Sequence, residues 1–405
     1  MNTPAKLGLL GSLYFTQGLP FGFFTQALPV ILRNQGATLG EIGLTSLLAV
    51  PWALKFLWAP VVDRYSSQRV GRRKSWILPL QVVAVLVLAA LASSSVTSAL
   101  PLLLCAVFVL NLIAATQDIA TDGLAVDMLA PPERGLANGV QVAGYRVGMI
   151  VGGGVLLILH ERLGMSGTFA SMAALTALAT VPLLATREAP SAHREVSGTS
   201  LHFLRRPGAL RLLALIMAYK AGDAFGGAML RPLLVDAGLS LSDIGWLLGT
   251  VGFVAGMAGA VCGGALVNRL GRRTALLGFG VLQTAAVASF AYLALAKPGM
   301  AALYVLCGSE HFVGGMATAA LFTCMMDWSS RESSATDYTV QASAVVIATG
   351  AASAVGGYSA ELLGYAGHFF LAALASAAAL LLVWRKFPSS AELAALHGKG
   401  ATACA

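Results

Sequence analysis

The chain has 405 residues, of which 57% are hydrophobic and 11% are charged, with a formal net charge of +8. Soluble domains contain about 25% charged residues, so this composition excludes a soluble protein and predicts a polytopic membrane protein. The basic residues lie in short connections between apolar stretches, a pattern that indicates membrane topology and argues against nucleic-acid binding.

Twelve apolar stretches are long enough to cross a membrane as helices. They begin near Leu7, Ile42, Trp76, Pro101, Leu136, Thr168, Leu212, Ile244, Ala275, Met300, Ala335 and Ala366. Basic clusters occur in every second connection, so the positive-inside rule predicts that both termini are cytoplasmic. The five cysteines are scattered and form no ligand cluster, so we expect neither a metal site nor a cofactor.

The two halves of the chain resemble each other. Asp63-Arg64 followed by Gly71-Arg72-Arg73 returns as Asn268-Arg269 followed by Gly271-Arg272-Arg273. Residues 35–43 also match residues 237–245, and Asp127 and Gln141 match Asp327 and Gln341. A parallel repeat of this kind predicts two six-helix bundles. We expect them at residues 1–186 and 211–390, with a cytoplasmic linker at 187–210 and a cytoplasmic tail at 391–405.

The segment from Gly264 to Arg273, GALVNRLGRR, resembles the loop signature of the major facilitator superfamily. The resemblance implies an all-α membrane fold of twelve helices in two pseudo-symmetric bundles, and a cytoplasmic gating latch. The residues expected in this latch are Asp63, Arg64, Gly71, Arg72, Arg73, Arg269, Gly271 and Arg272. The alternative, that these arginines only fix topology, stays open.

A narrower resemblance covers nearly the whole chain. Its motifs are YFTQGLP at 14–20, LKFLWAP at 54–60, Gln117-Asp118 with Asp127, ERG at 133–135, GYR at 144–146 and YKAGDAF at 219–225. They look like the AmpG-type muropeptide permeases and the related RhtX/FptX siderophore permeases, which share these motifs. Many AmpG-type permeases carry two added helices between the halves, and this linker has no apolar run. The short linker therefore favours the siderophore branch.

In the superfamily's fold, spans 1, 4, 7 and 10 line a central cavity, and these spans carry the polar residues at mid-depth. A carboxyl group near the centre of a membrane is readily protonated, because desolvation penalises its charged form. Glu310 is therefore the leading candidate for proton coupling, followed by Asp223 and Asp118. Lys220 and Asp223, three residues apart, could instead satisfy each other. His311 points about 100° away from Glu310 around the helix and is not automatically its partner.

Asp118 and Arg146 lie fourteen residues on either side of Pro132, so they could meet as an ion pair roughly 15–20 Å below the membrane face. Lys55 is expected to snorkel to the cytoplasmic side. Tyr14 and Phe225 could stack on an aromatic ligand or simply pack between helices. The full set of candidate substrate-binding residues is Tyr14, Gln17, Asp118, Asp122, Arg146, Lys220, Asp223, Phe225, Glu310 and His311.

The function predicted from these features is proton-coupled import of a siderophore or ferri-siderophore across a bacterial inner membrane, by alternating access. An AmpG-like muropeptide permease is the alternative, followed by a drug efflux pump or a receptor that binds without turnover. No GxxxxGK[ST] motif occurs, so ATP is not the direct energy source. Asp118 with Asp122 resembles a pair of catalytic carboxylates, but no histidine cluster accompanies them, and we expect no enzyme. We also expect a monomer whose partners are protons, the lipid bilayer and a small-molecule substrate.

Overall fold

The computed structural model describes residues 1–34, 36, 45–67, 69–93, 100–186, 188, 200–296, 299–389 and 392–393. Three predicted features fall wholly or partly outside these residues. They are the first copy of the repeated loop at 35–43, half of the linker at 187–210 and most of the tail at 391–405.

The described residues fold into twelve membrane-spanning helices, as predicted. In chain order they are α1 (3–34), α2 (45–64), α3 (Lys74–Ser93), α4 (Leu100–Met128), α5 (131–163), α6 (165–185), α7 (Ala209–Asp236), α8 (241–270), α9 (Arg272–Ala296), α10 (Met300–Asp327), α11 (334–363) and α12 (365–386). A short helix, Ser200–Arg205, precedes α7. Eight described helical stretches are long and apolar enough to cross a membrane. Two of these eight contain a helix pair, α5 with α6 and α11 with α12, and the more irregular α1 and α2 complete the twelve.

Three pairs of glycines with positive φ angles mark the same positions in the two halves. Gly71 and Gly271 have φ angles of 114° and 80°, and Gly164 and Gly364 have φ angles of 64° and 67°. Gly36 and Gly238 both have φ of 88°. Residues with a side chain rarely adopt such angles. The loops of the two halves therefore turn in the same way, which agrees with the predicted internal repeat.

Glycines bring α1 and α5 into backbone contact. The predicted stripe of Gly144, Gly148 and Gly152 lies directly against the α1 backbone: a Cβ added at Gly148 would lie 2.4 Å from the carbonyl oxygen of Phe15. A Cβ at Gly18 of α1 would likewise lie 2.0 Å from the carbonyl oxygen of Tyr145. Helices in lipid associate largely through such close packing, because hydrocarbon surrounds them in either state. The prediction of a close helix contact at this stripe is confirmed.

Two compact units divide the chain. Unit 1 contains Met1–Leu129, Gly144–Ser200 and Arg331–Thr339, and unit 2 contains Ala130–Ala143, Leu201–Ser330 and Val340–Ala405. In unit 1, α1, α3, α4 and α6 share a core that includes Phe23, Leu88 and Phe169. In unit 2, a smaller core forms around Leu247, Phe290 and Phe369. Each unit also contains a short segment from the other half of the sequence, and these two segments matter for the sites described next.

Candidate functional site

The loop between α2 and α3 forms a buried ionic network in unit 1. Arg73, fully buried, donates from Nη2 to Asp63 Oδ1 at 2.6 Å and from Nε to Asp127 Oδ2 at 3.0 Å. The other oxygen of Asp63 accepts hydrogen bonds from the backbone N–H and the hydroxyl of Thr336, at 2.7 and 2.6 Å. Asp63 thus caps the N-terminus of α11, where unpaired N–H groups and the helix dipole favour an anion.

Arg72 completes this network. It donates to Asp63 Oδ1 at 3.1 Å and to the carbonyl oxygen of Glu332 at 2.8 Å. Burial, and then the positive charge of Arg73, lower the pKa of Arg72 below its ordinary value. Burial also opposes the charge of Arg73, but Asp63 and Asp127 outweigh it and raise the pKa of Arg73. Both guanidinium groups therefore remain charged at neutral pH.

Unit 2 repeats the arrangement with fewer acids. Arg272 donates from Nε to Asp327 Oδ2 at 2.6 Å and from Nη1 to Asn268 Oδ1 at 2.6 Å. It also donates to the carbonyl oxygen of Pro131 at 2.9 Å, as Arg72 donates to the carbonyl oxygen of Glu332. Arg134 donates to the second oxygen of Asp327 at 2.8 Å. The two loops thus bind equivalent backbone carbonyls through equivalent arginines.

These contacts involve six of the eight predicted latch residues, four in unit 1 and two in unit 2. Asp63, Gly71, Arg72 and Arg73 lie at the network of unit 1, and Gly271 and Arg272 at that of unit 2. Arg64 and Arg269 are exposed, and the Arg64 guanidinium lies 5.8 Å from the ring centre of Tyr65. The gating role of all eight residues remains a prediction.

Sequence reasoning missed Glu188. Its carboxylate accepts the backbone N–H groups of Arg73 and Lys74, at 2.9–3.0 Å, and so caps the N-terminus of α3. In return, Lys74 Nζ donates to the carbonyl oxygens of Leu184 and Thr186 at the end of α6. The sequence does place an acid, Glu188, after α6 and a lysine, Lys74, at the start of α3. No regular spacing around Glu188 shows that the two segments meet, so the contact was not predicted.

A second buried cluster lies on α4 in the middle of unit 1. Lys55 of α2 is 3% exposed and forms an ion pair and hydrogen bond with Asp118, and its Nζ lies 4.0 Å from Asp122 Oδ2. Tyr14 of α1 donates from its hydroxyl to Asp122 Oδ1 at 2.7 Å. We call Tyr14, Lys55, Asp118 and Asp122 the α4 cluster. Lys55 does not snorkel: that prediction was wrong, because α2 continues past Lys55 to Arg64 and keeps it inside the bundle.

Asp118 therefore has a cationic partner that the sequence analysis did not choose. Arg146 of α5 is half-buried, and its predicted pair with Asp118 stays a prediction. Asp118 and Asp122 do share one face of α4, as their spacing predicted, since both approach Lys55. Gln17 is fully buried one helical turn from Tyr14, and its side-chain amide makes no hydrogen bond within the described part of the chain.

Aromatic rings adjoin the α4 cluster. The Trp52 ring centre lies 5.7 Å from Lys55 Nζ, and its indole N–H donates to Asn111 Oδ1 at 3.1 Å. Phe21 and Tyr145 contact the Trp52 ring edge-on, with ring centroids 5.5 and 6.4 Å away. Trp52 was missed because it lies in an apolar run, where a tryptophan carries no distinguishing spacing.

Unit 2 has two polar pairs among the predicted residues. Lys220 donates to Asp223 Oδ2 at 2.7 Å, as the spacing predicted, and to Thr318 Oγ1 at 3.1 Å. Glu310 Oε2 lies 2.7 Å from His311 Nδ1, so these neighbours are partners although their Cβ directions differ. Phe225 packs in a core against His368, with ring centroids 4.7 Å apart. This places Phe225 in helix packing, one of the two roles left open.

Comparisons with known proteins agree with this architecture. The family model described as Major Facilitator Superfamily matches residues 212–402, and the model described as Acetyl-coenzyme A transporter 1 matches residues 6–173. The crystal structure of the transporter FucP in the outward conformation superposes with a TM-score of 0.72, covering 95% of this chain and 99% of FucP. At 14% sequence identity that likeness shows the fold alone.

Relatives are found among bacterial permeases. The anhydromuropeptide permease of Escherichia coli (strain K12) is 30% identical over 387 residues, which cover 93% of this chain and 79% of that protein. The putative transporter AmpG 4 of Rickettsia felis is 26% identical over 388 residues, covering 92% of this chain and 94% of that protein.

Proposed function

The chain belongs to the major facilitator superfamily and is a homologue of the AmpG-type permeases, and from this premise we propose that it imports an anhydromuropeptide across the bacterial inner membrane. The observation that carries the proposal is the 30% identity to the Escherichia coli anhydromuropeptide permease over 93% of this chain. A relative named for this substrate supports the same class of ligand here, a sugar joined to a short peptide.

The short linker no longer favours a siderophore. The Rickettsia felis relative carries the AmpG name and is covered to 94% by this chain, so it has about the same length. A compact chain is thus found on the muropeptide side as well. The siderophore, which the sequence analysis preferred on this ground, has no remaining observation in its favour and becomes one arm of the test.

Buried polar pairs in the membrane support transport driven by an ion gradient. Charged side chains inside a bilayer are costly and usually mark a substrate or proton route. This chain carries such groups in both halves: the buried α4 cluster in unit 1, and in unit 2 the half-buried pair Lys220–Asp223 and the buried Glu310 beside the half-buried His311. One proton moving through 100 mV supplies about 2.3 kcal/mol, enough for roughly fifty-fold accumulation. We therefore include proton coupling, with Glu310, Asp223 and Asp118 as candidate carriers, in the proposal.

The proposal also includes the direction of insertion and the latch. Cytoplasmic termini follow from the basic connections, and the two arginine networks would then lie at the cytoplasmic face. There they would hold α11 through Asp63 and α5 through Arg272 in one state of the transport cycle and release them in the other.

Uptake by membrane vesicles tests the substrate. Right-side-out and everted vesicles containing the protein would be given a radiolabelled anhydromuropeptide or a radiolabelled ferri-siderophore, with and without a protonophore. We expect muropeptide entry only into right-side-out vesicles, lost with the protonophore, and no entry into vesicles that lack the protein. Siderophore entry without muropeptide entry would overturn the substrate, and entry of muropeptide that ignores the protonophore would overturn the coupling.

A further inference from the structure

We propose that Asp122, in place of the three candidate carriers named above, is the carboxyl group that loads the coupling proton, with Asp118 and Lys55 forming an ion pair beside it. This inference rests on the proposed proton-coupled transport and gives it a site in unit 1. Asp122 has so far stood only among the substrate-binding candidates, and the four residues of the α4 cluster come from three different helices.

The geometry distinguishes the two aspartates. Lys55 is hydrogen-bonded to Asp118, whereas its Nζ is 4.0 Å from Asp122, at the limit of an ion pair. The side chain of Asp122 is 2% exposed and that of Asp118 is 10% exposed. Asp122 is thus the more deeply buried carboxyl group and makes the weaker contact with Lys55. Burial penalises a carboxylate unless a charge or hydrogen bonds compensate it, and Lys55 compensates Asp122 less directly than it compensates Asp118.

Both protonation states of Asp122 have partners in the cluster. In the ionised state, Oδ1 accepts the hydroxyl of Tyr14 and Oδ2 faces Lys55. In the protonated state, the carboxylate of Asp118, which shares the same face of α4 and the same lysine, is the neighbouring acceptor for its new O–H. Two carboxyl groups that share a site bind a proton as a pair, because two adjacent negative charges repel each other. A group that is satisfied with or without its proton can load and release it during a cycle.

Titratable and charged groups on several elements surround this carboxyl group. Tyr14 of α1, Lys55 of α2 and Asp118 of α4 itself face it directly. Tyr145 of α5, which Arg146 follows in the chain, lies near Asp118, and Tyr338, at the start of α11, lies near Tyr14. Of these, Asp118 and Lys55 act most directly on Asp122. The remaining polar neighbour on α1, the buried amide of Gln17, carries no charge.

Helix α2 connects this site with the latch of unit 1. Lys55 begins a 3₁₀ turn, Lys55–Leu57, which interrupts α2 between Val50–Leu54 and Ala59–Arg64. A mid-helix 3₁₀ turn is a common hinge. The segment after this turn ends at Arg64 and carries Asp63, which holds Arg73 and caps α11. Protonation of Asp122 removes one of the two anions beside Lys55, which stands at the turn immediately before this segment.

Infrared difference spectroscopy on the full chain in lipid nanodiscs tests the proton site without any substrate. The C=O stretch of a protonated carboxyl group would be followed as the pH is changed, in wild type, Asp122→Asn and Glu310→Gln. We expect a titrating band in wild type that is absent in Asp122→Asn and present in Glu310→Gln. A band retained in Asp122→Asn and lost in Glu310→Gln would overturn the assignment.

Folding and substrate identity are controlled separately. The amide band of each variant reports helix content, and Asp122→Glu keeps the carboxyl group, so it should restore a titrating band if Asp122→Asn merely perturbs the bundle. Because protons are the only ligand in this experiment, a missing wild-type band would overturn the proton site even if muropeptide uptake were confirmed. Conversely, a band that depends on Asp122 would stand even if the vesicles transported a different solute.

Discussion

Replacing Gly18 by alanine tests the close approach of α1 and α5, which positions Tyr14 and Gln17 within unit 1. A Cβ at Gly18 would lie 2.0 Å from the carbonyl oxygen of Tyr145 and 3.1 Å from the backbone N of Met149. Ordinary contacts begin at 3.4 Å, and both neighbours are backbone atoms that cannot rotate away. The two helices would have to separate by about 1.4 Å to accept one methyl group.

Gly8 provides a matched control in the same helix. A Cβ there would meet nothing within 4 Å. Alanine is a better helix former than glycine, so Gly8→Ala should stabilise the protein by about 0.5–1 kcal/mol. Gly18→Ala gains the same helix propensity but adds overpacking, which costs about 1–3 kcal/mol or more. We expect Gly18→Ala to be the less stable variant, by about 1–3 kcal/mol.

Chemical unfolding of the purified protein in detergent, followed by tryptophan fluorescence, measures this difference. Substrate uptake by the same variants in vesicles should fall with Gly18→Ala and stay at the wild-type level with Gly8→Ala. Equal stability of the two variants, together with normal uptake by Gly18→Ala, would show that α1 and α5 do not touch at Gly18. The reasoning from glycine contacts would then fail.

The remaining predictions concern single charges. Glu310→Gln should still concentrate substrate in a protonophore-sensitive way, because the proposed proton site is Asp122. Loss of accumulation with counterflow exchange retained would instead assign the proton to Glu310. Lys55→Met should destabilise the protein by about 3–5 kcal/mol, because it leaves the buried Asp118 carboxylate without its cation. The double variant Lys55→Met with Asp118→Asn should recover most of that loss in thermal unfolding. No recovery would count against the ion pair. Arg73→Lys should destabilise unit 1 by about 3 kcal/mol, since an ammonium group cannot bridge Asp63 and Asp127 as the guanidinium group does. Arg64→Lys, at an exposed site, should change the unfolding midpoint little. Equal midpoints for these two variants would argue against the buried network.

Patterns along the chain predicted much of the fold. Apolar runs of about twenty residues gave the twelve spans, and the glycine spacing at Gly144, Gly148 and Gly152 gave a helix contact that the structure confirms. The ion pair between Lys220 and Asp223 was predictable because it joins residues on adjacent turns of one helix.

Contacts between separate helices were harder to predict. Counting residues from the turn placed Asp118 level with Arg146, and that pair stays a prediction. The contact of Asp118 with Lys55 was missed, because depth alone does not tell which way a side chain faces around its helix. The 3₁₀ turn in α2 and the neighbouring packing decide that Lys55 meets Asp118. Glu188 was missed for a similar reason, because no regular spacing in the sequence relates it to the start of α3, which it caps.

The sequence by itself determined the number of spans, the internal repeat and the resemblance to a transporter superfamily, since these follow from hydropathy, spacing and local motifs. Only the tertiary structure decided which buried charges are partners, and which of Asp118 and Asp122 makes the weaker contact with Lys55. Such choices depend on helix rotation and on breaks in regular geometry, which shift a side chain by several ångströms. Because Coulomb energy and hydrogen bonding change steeply over that distance in a medium of low polarity, the α4 cluster appears only when the helices are packed.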